Sequence, residues 1–372
     1  MKLAQRRQQI DSSGIRKIFD LASKLKNPCN LSIGLPDYDV PEVVKESAIE
    51  AIRKGQNRYT LTAGLPALRE RIKQLYADRG QPVEDVMIAS GTSGALFLSF
   101  LALLDPGDQV MLPDPYFVMY KALPRFIGAE PVFVDTYPDF RLRREALEAA
   151  WTPRCRMLIV NSPNNPSGAV ASEEELRMVA QFADEKGLVV LSDEIYEDFS
   201  YDGAAPSLGR FSDPARTIVI SGLSKNVAMT GWRLGWVTGP KDFILALSDI
   251  QQYSFVCAPS VAQAASFAAL DYDMSAVRAD YCARRDTIYN GLREHGYTVA
   301  RPGGAFYIFP EAPNGDGEAF VRRAIEKELL IVPGKVFSER NTHFRISFAS
   351  SQEQLRRGLD ILGELRREFS GG

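Results

Sequence analysis

The sequence predicts an α/β protein: a large domain built on a mostly parallel sheet flanked by helices, and a smaller α+β domain after it. Three observations carry this. Between about residue 85 and residue 240, short apolar runs alternate with helical patterns. Buried apolar strands that alternate with helices make a sheet covered on both faces. After about residue 240 long helical stretches take over, interrupted by two strand-like runs.

The elements follow in order. Val86–Ala89 reads as a strand and Gly94–Leu104 as a helix. Gln109–Leu112, Pro131–Val134 and Met157–Val160 read as strands. Ser172–Lys186 is an amphipathic helix, with Ser172 as N-cap and Glu175 at the capping-box position. Leu188–Ser192 and Thr217–Ile220 are further apolar strands. Helical patterns then cover Lys241–Gln252, Val261–Leu270 and Met274–His295. Strand-like Gly304–Phe309, a helix near Glu318–Leu329, strand-like Phe344–Phe348 and a last helix from Ser351 follow. The expected division is an N-terminal segment, 1–40, packing with the small domain, a large domain, 41–250, and a small C-terminal domain, 251–372. The first 35 or so residues read as a helix and an extended segment.

Composition narrows the function. Of 372 residues, 45% are hydrophobic and 24% charged, as in an ordinary globular protein. A net charge of −3 gives no electrostatic reason to expect nucleic acid or an anionic membrane as partner. Cys29, Cys155, Cys257 and Cys282 are widely spaced, which argues for free thiols in a reducing compartment. Two histidines, His295 and His343, are too few for a His-based metal site, so no metal is expected; His295 reads as solvated or at a helix end. The start of the chain lacks an apolar signal-like run, and no run approaches 18 apolar residues, so a cytoplasmic location is the expectation.

In such sheets ligands bind at the carboxyl ends of strands. The segment Ser221-Gly-Leu-Ser-Lys225-Asn-Val-Ala-Met-Thr-Gly-Trp-Arg233-Leu-Gly235 follows an apolar strand. A lysine there, among small residues, can be desolvated and meet a carbonyl, and an arginine offers forked donors to a phosphate. Taken alone, Lys225 reads as a surface lysine and Arg233 as structural. The whole segment, however, closely resembles the cofactor-lysine motif of the class I/II aminotransferases, fold type I of the pyridoxal 5'-phosphate enzymes, aspartate aminotransferase among them. Further landmarks of that family follow in the right order over nearly the whole chain.

The resemblance assigns roles residue by residue. Ser90-Gly-Thr-Ser-Gly94, between a strand and a helix, matches the turn that cups the cofactor phosphate through Gly91, Thr92 and Ser93. Pro115-Tyr-Phe117 places Phe117 against the cofactor ring, where it can only stack. In Asn161-Ser-Pro-Asn-Asn165-Pro166, Asn165 matches the donor to the phenolic oxygen and also faces substrate. In Ser192-Asp193-Glu194-Ile-Tyr196, Asp193 matches the partner of the ring nitrogen and Tyr196 the second phenolic-oxygen partner, with Glu194 read as an outward or structural carboxylate. Arg58-Tyr59 through Leu68-Arg69 resembles the segment whose tyrosine reaches the phosphate of the neighbouring subunit, so Tyr59 implies a homodimer with shared active sites. Gly34, in Ser32-Ile-Gly34-Leu-Pro-Asp-Tyr38, is placed by its backbone near the substrate carboxylate. Arg345, in an otherwise apolar strand, needs an anion, and the family arginine there clamps the α-carboxylate of the substrate. One departure stands out: many relatives carry serine three residues before the lysine, where this chain has Gly222, and Ser221 or Ser224 stands ready to compensate.

The fold implied is a large domain with a mostly parallel seven-stranded sheet flanked by helices, plus a smaller α+β domain. The function implied is that of a pyridoxal-phosphate-dependent aminotransferase of amino acid metabolism. It moves an amino group between an L-amino acid and a 2-oxo acid by a ping-pong mechanism. Lys225 serves as Schiff base and proton shuttle, and Asp193 and Tyr196 act with it. The alternative is a pyridoxal-phosphate-dependent C–S β-lyase of the same fold. A transcription regulator with such a domain behind a DNA-binding module does not fit, because the family pattern begins by about residue 30. Specificity is expected from loops near residues 10–20, 35–40 and 250–260. There Ile15, Tyr38 and Phe255 read equally as an apolar pocket or as packing.

Overall fold

The structure is a computed structural model that describes residue 4 and residues 27–370. The expected N-terminal helix and Ile15 lie outside the described residues. In chain order the elements are β1 (Cys29–Asn30), α1 (Glu42–Arg53), α2 (Pro66–Asp78), β2 (Asp85–Ser90), α3 (Gly91–Leu103), β3 (Gln109–Asp114), α4 (Val118–Ile127), β4 (Glu130–Asp135), α5 (Arg144–Ala150), β5 (Cys155–Asn161), α6 (Glu173–Lys186), β6 (Val189–Asp193), β7 (Thr217–Gly222), β8 (Leu234–Gly239), α7 (Lys241–Gln252), α8 (Ser260–Leu270), α9 (Ser275–Glu294), β9 (Tyr307–Ile308), α10 (Gly317–Glu326), β10 (Leu329–Leu330), β11 (Val332–Pro333), β12 (Phe344–Ser347) and α11 (Gln352–Ser370).

Seven strands form one sheet in the order β2-β8-β7-β6-β5-β3-β4. All run parallel except β8, which lies antiparallel between β2 and β7. Successive strand residues bury into different cores, which is why the runs are apolar without alternation. Met87 and Ala89 join one cluster while Val86 and Ile88 join another, and Met157 and Ile159 are separated from Leu158 and Val160 in the same way. Ser172 caps α6 as its sequence predicts, its hydroxyl accepting from the Glu175 N–H at 3.2 Å. The Glu175 carboxylate instead accepts the Leu142 N–H at 2.6 Å, tying the helix start to the loop before α5.

The remaining strands are short. β1 pairs in parallel with β10, and β11-β12-β9 form a three-stranded sheet. The six-residue strand expected at Gly304–Phe309 is in fact only Tyr307–Ile308, because Ala305 takes a left-handed backbone (φ 53) that breaks the extended run. All four cysteines are unbridged. Among the described residues no helix is long and apolar enough to cross a membrane.

Register decides what gathers at the carboxyl edge. Ser90 at the end of β2 pairs with Leu234 at the start of β8, so Arg233 emerges beside the Gly91 turn. Gly222 at the end of β7 pairs with Gly235, which brings the Lys225 loop to the same edge. Asp193 pairs with Asn161 on one side and Ile220 on the other.

Candidate active site

A cavity of about 360 Å³ opens at this edge, and its walls include Gly34, Thr92, Ser93, Phe117, Asn165, Asp193, Tyr196, Lys225, Arg233 and Arg345. Residues separated by more than 300 positions thus meet in one chamber. Gly91 underlies it. Of the expected set, Tyr59 stands well away, 82% exposed on the surface. Tyr38 and Phe255 do not line the chamber either. The Tyr38 hydroxyl donates to main-chain carbonyls of the lysine loop, and Phe255 is 43% exposed.

Lys225 is sunk in the chamber, with Nζ donating to the Gly34 carbonyl at 2.9 Å. Burial, then the like charges of Arg345 and Arg233, lower its pKa to about 8, against a smaller pull from Asp193. At pH 7 about one amine in ten is therefore neutral and nucleophilic. Asp193 is 3% exposed. Its Oδ2 accepts the Tyr120 hydroxyl at 2.7 Å and its Oδ1 the Ile195 N–H at 3.2 Å. Burial pushes its pKa up to about 6, with those two hydrogen bonds and the Lys225 charge opposing, so it remains mostly ionised at pH 7. Tyr196 shares a 3.0 Å hydroxyl contact with Tyr307, and burial holds its phenol well above the ordinary range.

Two guanidiniums complete the chamber. Arg345 is 1% exposed. It donates through Nη1 to Asn165 Oδ1 at 3.1 Å and through Nη2 to the Ser32 carbonyl at 2.8 Å, and its Nε has no partner. Arg233 donates to the carbonyls of Thr230 and Ser90 at 3.0 and 3.4 Å. Among the described residues neither has a carboxylate partner. A buried cation without an anion is costly, so Arg345 is suited to a ligand's negative group, and half-buried Arg233, open to the chamber, can take another. The start of α3 adds to this: it has no side-chain cap and no acidic residue in its first turn, leaving its amides free for an anion beside Thr92 and Ser93. Gly91 sits at φ +69, and a Cβ there would lie 2.5 Å from Arg233 Nη2. The turn can approach the guanidinium this closely only as glycine.

Gly222 has a steric cause. A Cβ there would meet Gly235 Cα at 2.8 Å and the Leu234 carbonyl at 2.9 Å, so no serine fits between β7 and β8. Of the two serines beside it, Ser224 lines the chamber. The Ser221 hydroxyl is engaged elsewhere, donating to Glu197 at 2.9 Å. Of the two readings of Glu194, outward or structural, the structure favours the second: it is buried and accepts from Ser192, Ser207 and the Leu208 N–H. Sequence reasoning missed Tyr120 and Tyr307. Tyr120 sits one helical turn beyond Phe117, which was a readable signal. Tyr307 lies in a run that reads only as apolar strand. Among the described residues no His, Cys, Asp and Glu cluster suits a metal.

The chamber thus sets an uncapped helix start and Arg233 on one side, the buried Asp193 carboxylate on another, and a desolvated lysine between them. The chain belongs to the family described as aminotransferase class I and II, whose model matches residues 26–362. It is 39% identical to the aspartate/prephenate aminotransferase of Thermus thermophilus over 89% of each chain, and 36% identical to the aromatic-amino-acid aminotransferase 2 of Thermococcus litoralis over 99% of each. The solved aspartate aminotransferase of Thermus thermophilus with maleate superposes with a TM-score of 0.95 at 36% identity, covering 98% of this chain and 100% of that one. The aminotransferase activity and the α/β fold expected from the motifs agree with these likenesses.

Proposed function

We propose that this chain is a pyridoxal 5'-phosphate-dependent aminotransferase that passes an amino group from an L-amino acid to a 2-oxo acid in ping-pong fashion. The observation that carries the reading is a lysine of depressed pKa set between two guanidiniums that lack carboxylates and a buried carboxylate. When bound, the cofactor supplies an aldehyde that takes up the amino group and a ring that withdraws electrons. The residues fit that group. Arg233, Thr92, Ser93 and the first amides of α3 would hold its phosphate, with Ser224 beside them. Phe117 would cover one ring face and Asp193 would pair with the ring nitrogen. Tyr196 and the Nδ2 donors of Asn165, whose Oδ1 is taken by Arg345, would reach the phenolic oxygen.

Arg345 then clamps the α-carboxylate of the substrate through its fork, next to the Gly34 backbone. Lys225 anchors the resting cofactor. Once displaced, its neutral Nζ takes the α-proton as general base and gives it back as general acid. Its pKa of about 8 lies close enough to neutrality for both directions. Tyr59 reads as the residue offered to a partner subunit. It is exposed together with Leu61, Tyr253 and Phe255, and Gln251 and Gln263 join the loop at residues 60–62 to the neighbouring helices. We therefore read the working unit as a homodimer with shared active sites.

The test is to titrate the cofactor-loaded protein with single L-amino acids in the absence of any 2-oxo acid. Loss of the cofactor's absorbance band, with one 2-oxo acid and one pyridoxamine phosphate formed per site, is expected. Continuous pyruvate and ammonia from a cysteine conjugate, with no pyridoxamine phosphate, would establish the β-lyase instead. The same titration ranks donors among the aspartate and aromatic classes for which the relatives are named.

A further inference from the structure

The proposed reaction asks Lys225 Nζ to move between partners while its Cα stays still. The sheet does not provide this, because β7 ends at Gly222, three residues earlier. Side chains do. Ser221 Oγ donates to Glu197 Oε1 at 2.9 Å, and Glu197 is itself paired with Arg79. Asn226 Nδ2 donates to Asp198 Oδ2 at 2.7 Å, while its Oδ1 accepts the Val227 N–H at 3.0 Å. The Tyr38 hydroxyl is shared between the carbonyls of Asn226, at 2.6 Å, and Lys225, at 3.1 Å.

Glu197 and Asp198 sit in the short 3-10 turn Glu197–Phe199 that directly follows Tyr196. The end of β7 is thus tied to Glu197 four residues before Lys225, and the lysine loop itself to Asp198 one residue after it, these being the two residues that follow Tyr196. We propose that Asp198, through Asn226, is a positioning residue that fixes the backbone of Lys225 relative to the Tyr196 phenol. Its action is geometric. The influences on the Lys225 amine are burial, Arg345, Arg233 and Asp193, and Asp198 is not among them. The inference rests on Lys225 being the proton carrier.

Asp198 and Asn226 are both only half-buried, so replacing them leaves the cores intact. In the loaded enzyme Asp198→Ala should lower kcat about 10-fold and leave KM for the amino donor within about twofold, since a displaced base damages the chemical step rather than binding. Asp198→Asn should restore kcat, because an amide oxygen accepts the same bond without the charge. Asn226→Ala should match Asp198→Ala, and the double variant should be no worse than either. Amide hydrogen exchange on the cofactor-stripped protein should show faster exchange confined to residues 223–229 in Asp198→Ala and normal exchange in Asp198→Asn. An unchanged kcat in Asp198→Ala, no rescue by asparagine, or exchange that rises throughout the chain would each overturn the proposal. The exchange result does not depend on what Lys225 does. Failure of the lysine reading shows separately, as a cofactor linkage that survives Lys225→Ala.

Discussion

Replacing Lys225 with methionine should stabilise the cofactor-stripped protein, and the gain should vanish at high pH. The lysine pKa is lowered from 10.5 to about 8, chiefly by burial. At about 1.4 kcal/mol per pH unit, the folded state is penalised by about 3 kcal/mol wherever the amine is charged in both states. A lowered lysine pKa means that the unfolded chain binds the proton more tightly. The penalty is therefore complete below pH 8 and fades as pH rises from 8 to 10.5. Methionine keeps the apolar stem and removes the charge. It also removes the hydrogen bond from Nζ to the Gly34 carbonyl, which gives back about 1 kcal/mol. Lys225→Met should thus be more stable than the parent by about 2 kcal/mol at pH 7, and at pH 10 the order should level or reverse. Guanidinium unfolding of both stripped proteins at pH 7 and pH 10 measures this, and other titrations cancel in the difference. A variant less stable than the parent at pH 7, or a difference that does not change with pH, would refute the view that Lys225 is held as a strained, desolvated cation.

Arg345→Lys replaces a fork with a point charge, so KM for the amino donor should rise about 100-fold with a smaller change in kcat, read from steady-state kinetics. Asp193→Asn should lower kcat about 100-fold or more in the same assay, as the ring nitrogen loses its charged partner. Because burial raises the Asp193 pKa from 3.8 to about 6, the parent loses stability as pH rises from about 4 to 6. The stripped Asn variant should lack that loss and be the more stable protein at pH 7, by thermal unfolding. Gly91→Ala forces an alanine to φ +69 with its Cβ 2.5 Å from the Arg233 guanidinium. Cofactor affinity should fall about 10-fold or more by fluorescence titration, since about 1–2 kcal/mol of backbone strain and a displaced phosphate donor add together.

Much of this architecture was legible because burial on two faces leaves a plain mark. Five of the parallel strands and the strand that precedes the lysine are short apolar runs, and their ends carry the small and polar residues that line the chamber. The strand β8 was not legible. Leu234-Gly-Trp-Val-Thr-Gly239 holds two glycines and directly follows Arg233, so it reads as the tail of a motif. Its place between β2 and β7 is a long-range pairing with no local signal. That pairing explains both why Arg233 reaches the Gly91 turn and why Gly222 must lack a side chain. Tyr120 and Asp193 are 73 positions apart, and Arg345 and Asn165 are 180 apart, so their hydrogen bonds follow from topology and not from spacing. Arg345 itself was legible as an arginine wanting an anion. The structure adds that, among the described residues, the protein supplies it with none.

The central claim is that Lys225 carries the cofactor. The most direct measurement is to load the protein with pyridoxal 5'-phosphate, reduce it with borohydride, digest it and locate the modified residue by mass spectrometry. The account predicts one modified lysine, Lys225, and no modification of that peptide when an amino acid donor is added before the borohydride. A modification on any other lysine, or an undiminished linkage in Lys225→Ala, would contradict it.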